Sequence, residues 1–395
     1  MKQEQPILAR IRTYFMKRRV EKLNQQLQQL LFDQKPTIPN TKLLTEQVKT
    51  LIENGANINY QSCASKQSIL LKALMLKNTE LCSYLLSHGA DVNLSDSNGT
   101  TPLLYATSTF QEFVPKLITK GANVNTQDKR GISPLMIATK NDNHKLVNYL
   151  LSKGANPNLT DQHHQSALFY SGSNPYITQT LLEQGADPKL ISLAKTTPLF
   201  VAQNPKVIET LIKYGADVEH EDLNKKTPLM VMANRPDLVK VLLQHGANPT
   251  HTDSVKDSPL HFAQNPQSIS LLVEAGADID ARGFGGETPL LRLAENPYTT
   301  PETINALLQY GPKPFSQSVR NIQLHPSHFN NDDTLGVWSY TRNPKLKQIL
   351  VDYQKKWDKG AVQRKSIPIK KKHKNIRIKF TSTSHIKKST KEQLL

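Results

Sequence analysis

Four clusters in this sequence have residue types that chemistry could use. His163 and His164 are adjacent, with Asp161 two positions earlier, and His325, His328 and Asp332 gather two imidazoles and a carboxylate in one stretch. Either set could give nitrogen and oxygen ligands to a metal. A closed zinc site, however, takes four ligands, usually with cysteines or a second histidine cluster, and neither is at hand. Gly283-Phe284-Gly285-Gly286 is rich enough in glycine to approach a phosphate, but it does not join a strand to a helix as a phosphate loop does. Lys370-Lys371-Lys372-His373-Lys374 is a basic run of the kind read by nuclear import receptors or laid against polyanions, where Lys370, Lys371, Lys372 and Lys374 would make the contacts. None of these predicts a cofactor, a metal or catalysis, and the chain reads as a non-enzyme.

The elements that would position such residues are small and recurrent. Thr227 to Asn248, TPLMVMANRPDLVKVLLQHGAN, reads as a short helix, a tight turn, a second helix and a glycine stop. Thr227 is placed to cap with its hydroxyl, and Pro228 occupies a first-turn position where a missing N–H costs nothing. Leu238, Val239, Leu242 and Leu243 form one apolar stripe of a 3.6-residue helix. Helices this short are not stable alone, and the chain supplies copies. The stop recurs at Gly55, Gly89, Gly121, Gly154, Gly185, Gly215, Gly246 and Gly276, at gaps of 34, 32, 33, 31, 30, 31 and 30 residues. The start triplet keeps phase with it from Thr101-Pro102-Leu103 to Thr288-Pro289-Leu290. Two markers in phase near a period of 33 imply a solenoid of helix pairs.

T-P-L, an alanine a turn later, then L-L-x-x-G-A-D/N resembles the ankyrin repeat over roughly residues 20–357. His261 stands at the T-P-L-H histidine of that family, and His88 and His245 at its L-L-x-H-G-A histidine. The resemblance implies an all-α solenoid of stacked antiparallel helix pairs with projecting β-hairpin loops, about nine to ten pairs with caps, acting as a non-catalytic protein-binding module. One departure recurs: Asn174-Pro175, Asn204-Pro205, Asn234-Arg235-Pro236, Asn265-Pro266 and Asn296-Pro297 replace the longer turn between the two helices, two or three residues short. Asparagine is expected to cap the second helix there, with proline starting it. Gly172, in or beside a helix end, marks the expected weak link, at about 1 kcal/mol if interior. His325-Pro326 resembles the opening of the Fic-type AMP-transfer motif, but Ser327-His328-Phe329-Asn330 does not continue it.

Composition agrees with a thin stacked core, at 37% hydrophobic and only 6% aromatic. Two cysteines give no disulfide framework and suit a reducing compartment. No apolar run reaches the length of a membrane span, so integral insertion is not expected, and the N-terminal residues lack a signal-peptide core. The net charge of +17 lies in the ends: residues 1–22 carry +5 and residues 355–395 carry +12, leaving a near-neutral array. Residues 1–19 form a basic amphipathic segment able to cap the array or lie on an anionic surface. Residues 358–395 read as a basic tail without a core, and 312–333 as a long loop.

Candidate recognition residues lie on the hairpin tips and the inner helices. Lys129, Arg130, His163, His164, Lys225, Lys226, Lys256, Arg282 and Phe284 are on the tips, where the repeat pattern breaks. Tyr105, Ile137, Tyr170, Val201, Val231 and Phe262 share one position after T-P-L-x. That stripe is either packing between neighbouring first helices or, at Tyr170 and Phe262, a partner anchor. The expected activity is binding another protein through the concave inner-helix and hairpin surface, as a monomer. The expected setting is the cytoplasm or, for a secreted effector, the host cytosol or nucleus. The alternative is a nuclear or nucleic-acid adaptor that works through the tail.

Overall fold

The computed structural model describes residues 4–33, 41–316, 335–336 and 341–365. The long loop's interior and the basic cluster at 370–374 lie outside the described residues, as do the histidines at 325 and 328. A helix from Glu4 to Gln28, ending in a π turn at Gln29–Asp33, and a second helix at Thr41–Glu53 cap the N-terminal end. Eight helix pairs follow. Their first elements are Ile69–Met75, Pro102–Thr109, Pro134–Lys140, Ala167–Tyr170, Pro198–Val201, Pro228–Val231, Pro259–Phe262 and Pro289–Glu295. The last helix, Pro344–Asp358, closes the stack. Apart from helices, Phe315–Ser316 pairs antiparallel with Leu335–Gly336, bringing together the two ends of the long loop.

The helix starts divide into two kinds. Thr101, Ser133 and Thr288 accept a hydrogen bond from the backbone three residues on, as cap residues do. Thr227 does not, contrary to the sequence expectation. Its hydroxyl is buried without a hydrogen-bond partner, and so are those of Thr197 and Ser166. The cause is geometric. Where the first helix is a single turn, the N–H that a cap would take is given to the cap residue's own carbonyl, as in Met230 N to Thr227 O (3.1 Å) and Phe200 N to Thr197 O (3.0 Å). These are i to i+3 bonds of the 3-10 kind. In pairs four to seven the shortened Asn-Pro turn therefore coincides with an inner helix too short to use its cap, whereas the eighth pair keeps seven residues and its Thr288 cap.

The second helices keep their length, nine residues in pairs one, three, four, five, six and seven. Asn174, Asn204 and Asn265 cap them as expected. In the sixth pair Arg235 takes the cap position, and Asn234 instead accepts from Gln264 N of the next repeat at 2.5 Å. In the eighth, Asn296-Pro297 starts no helix: the helix begins at Pro301 behind Thr300, whose hydroxyl accepts from Thr303 N. Each helix pair stops at a glycine. At Gly246, φ is +91°, and Ala247 N donates back to Leu242 O at 3.0 Å, which satisfies a terminal carbonyl.

The core is one continuous layer from Leu27 to Leu350, built from the expected leucine stripes. Cys82 is buried in it, and burial pushes its thiol up to about 12. Gly172 is not a weak interior glycine. It is buried against the next repeat, Gln203 N donates to its carbonyl at 2.8 Å, and an added Cβ would collide with the Val201 carbonyl oxygen. Side chains also link successive repeats: Asn24 of the first helix and the loop residues Asn59, Asn93, Asn125 and Asn158 accept backbone N–H bonds from the following repeat at 2.7–3.0 Å. Among the described residues no helix is long and apolar enough to cross a membrane.

Candidate functional site: the hairpin tips and the inner groove

The hairpins are framed by one side-chain acceptor at the first position, except the one where Gly283 stands there. Asp128 Oδ1 accepts from Arg130 N and Ile132 N, Asp161 Oδ1 from His163 N and Gln165 N, and Asp253 Oδ1 from Val255 N and Asp257 N, at 2.8–3.0 Å. Ser192 does the same with its hydroxyl. An aspartate that closes two backbone bonds makes the tight turn without a long strand pair. The tips are then joined to one another. Lys129 N donates to Asn98 O, Gln162 N to Arg130 O, Leu193 N to His163 O and Leu223 N to Ala194 O, at 2.8–3.2 Å. The tips thus form a bonded row of fixed order.

Behind the tips lies the inner-helix column. Tyr105, Ile137, Tyr170, Val201 and Phe262 are half-buried, and Val231 is 53% exposed. Tyr170 is tied to its hairpin: its hydroxyl donates to Asp161 Oδ2 at 2.5 Å, and burial, with that bond, pushes the phenol pKa upward. Phe262 carries the Lys226 ammonium 4.5 Å from its ring centroid. A groove of about 610 Å³ opens here, lined by Lys226, Val231, Phe262, Asn234, Arg292 and Asn296 among others.

The groove's end wall is an ionic network. Arg292, next in the same column, bonds Glu287 Oε2 through Nε (3.0 Å) and both oxygens of Asp257 through Nη2 (3.2 and 3.0 Å). Both carboxylates are buried, at 3% and 2% exposure for Asp257 and Glu287, so the guanidinium is their neutralising partner. Asp257 Oδ1 also accepts from Phe284 N, and an added Cβ at Gly283 would collide with that carboxylate. His261 sits beneath, 4% exposed: Nδ1 accepts from Ser258 N at 3.0 Å, and Nε2–H donates to Glu287 O at 3.1 Å. Burial lowers its pKa and holds it neutral.

The structure brings some of the candidate residues together and leaves others apart. Lys226, Phe262 and the network meet at one groove. Lys129, Arg130, His163, His164, Lys225, Lys256, Arg282 and Phe284 are exposed on the tips. Arg130 is turned onto Asp128 (2.9 Å), and Arg282 onto the Gly286 carbonyl (3.2 Å). Sequence reasoning passed over Arg292, Asp257 and Glu287. Arg292's signal was a charge in an otherwise apolar column, and that of Asp257 and Glu287 was an acid just before the start triplet, where Lys226 stands in the preceding repeat. Among the described residues no group of three or more His, Cys, Asp or Glu is placed to hold a metal ion.

Comparison with known proteins agrees with this architecture. A model described as ankyrin repeats (3 copies) matches residues 40–128, 109–192, 170–253 and 199–283, together more than half of the chain. Among solved structures, the ankyrin repeat domain of human ASB11 is 30% identical, with a TM-score of 0.48, over 53% of this chain and 97% of that one. No curated protein matches. With the period, the stacked pairs and the linked hairpins already in view, the matched repeats place this chain in the ankyrin-repeat family.

Proposed function

We propose that the chain binds a partner protein through its concave side, with the groove at Val231, Phe262 and Lys226 as the principal contact. One observation carries this: exposed Val231 and half-buried Phe262 lie beside a cavity of about 610 Å³ whose charged wall, Arg292 with Asp257 and Glu287, is already bonded within itself. An apolar floor with polar groups already oriented loses little on desolvation, and a prebuilt stack loses little entropy on binding. The test is capture from host-cell lysate by the full chain and by a Val231→Asp/Phe262→Ser variant. A protein retained equally by both would end the groove reading. The setting we favour is a host cytosol or nucleus entered by a secreted effector.

A second reading rests on the +12 net charge of residues 355–395. If that tail is the binding element, its removal abolishes association, and salt weakens binding steeply. Binding that survives removal and tolerates salt assigns recognition to the array.

A further inference from the structure

The tips of the later hairpins differ in kind from those of the earlier ones. Leu193, Leu223, Val255 and Phe284 are 56%, 60%, 41% and 43% exposed, one in each of four consecutive hairpins. Beside three of them stand Lys195, Lys225 and Lys256, with φ of 56°, 59° and 70°, in the left-handed position that Lys66, Gly99, Gly131 and His164 fill in earlier hairpins. A lysine holds that conformation at a cost glycine avoids, so the cation is kept against local preference. Nearby acids are turned elsewhere: Asp222 and Asp253 onto backbone N–H groups, and Glu221 toward His251 at 3.5 Å. Leu223 N donates to Ala194 O at 3.2 Å and Ser254 N to Asn224 O at 2.9 Å, so the row is rigid.

We propose that this row is a docking strip for a partner segment in which acidic and apolar residues alternate. Three of the four tips offer an aliphatic side chain beside a cation, and the fourth offers Phe284. An extended strand laid edge-on along the row matches that pairing, its apolar chains on one side against leucine and its carboxylates on the other by the ammonium groups. Nucleic acid fits less well, because it needs a run of stacking surfaces, and three of the four tips present leucine or valine. The proposal rests on the hairpin side being the protein-binding face, and extends it from the groove to the tips.

The experiment uses the full chain and a labelled synthetic peptide of alternating Glu/Asp and Leu/Phe, followed by fluorescence anisotropy. Leu193→Ser/Leu223→Ser and Lys195→Gly/Lys225→Gly/Lys256→Gly should each weaken binding about tenfold or more. The glycine variant should melt at the same temperature or higher, which separates lost binding from lost folding. Wild-type chain that does not bind the peptide, or tip variants that bind it unchanged, overturn the strip. So does oligothymidylate that binds as tightly and is indifferent to Leu→Ser, because the surface is then a general polyanion site. If the tip variants are silent but Val231→Asp/Phe262→Ser loses the captured protein, the groove reading stands and only the strip falls.

Discussion

Pairs one to three and pairs four to seven carry the same start and stop markers yet are held differently. In the early pairs the inner helix spans seven or eight residues and its hydroxyl caps it at Ser68, Thr101 and Ser133. In the later pairs the inner element is four residues long, and buried hydroxyls at Ser166, Thr197 and Thr227 have no partner. The outer helices scarcely change. The outer layer thus keeps its length, while the inner layer, its leucines still buried in the core, shortens, opens a groove and changes its tips. Capping energy is small beside burial of the leucine stripes, and that difference in size makes the exchange possible.

Ways to break this comparison can be ranked. Arg292→Ala should cost most, about 3 kcal/mol in urea unfolding at neutral pH, since two buried carboxylates lose their cation. The penalty should shrink in acid as they protonate, and a loss below about 1 kcal/mol would show that the network is dispensable. Gly172→Ala comes next, at about 2 kcal/mol, because the added methyl pushes the fourth pair off the fifth. A separate early-half transition in the melt would sharpen the boundary between the halves. Third, Ser133→Ala should cost about 1 kcal/mol, whereas Thr227→Val should be neutral or stabilising. Equal costs at the two sites would erase the distinction between used and idle caps.

The smallest effect concerns pH. His261 has a folded pKa below its ordinary value, chiefly from burial, so the unfolded chain binds the proton first. Its stabilising contribution is complete above about pH 6.5 and declines as the pH falls below that value. Melting curves of wild type and His261→Gln should therefore differ in slope below pH 6.5 and run parallel above it. Parallel curves throughout would contradict a neutral buried imidazole.

Much of the frame was legible because glycine stops and T-P-L starts have local causes. The single-turn inner helices were not. The same Thr-Pro-Leu opens Pro102–Thr109 and Pro198–Val201, and the linker two or three residues short was the trace that separated them. Gly172 looked like a flaw because a helix propensity counts its missing side chain and cannot count the carbonyl of Val201 lying against it. Tip lysines and histidines stood out where the pattern breaks, whereas the aspartate just before them, at the first hairpin position, is what sets the turn. At the groove, Phe262 and Lys226 were found by column and by charge. Arg292 was missed because its partners are five and thirty-five residues away.

The asparagine links between loops are not uniform along the array. They run from Asn24 to Asp187, resume from Glu219 to Asn248 and from Asp280 to Lys313, and among the described residues skip Asp217 and Asp278. Both gaps flank the sixth and seventh pairs, which hold the groove. There the hairpin tips carry the connection instead, through Leu223 N on Ala194 O and Phe284 N on Asp257 Oδ1, so prying one unit from the next breaks hairpin bonds as well as parting leucines.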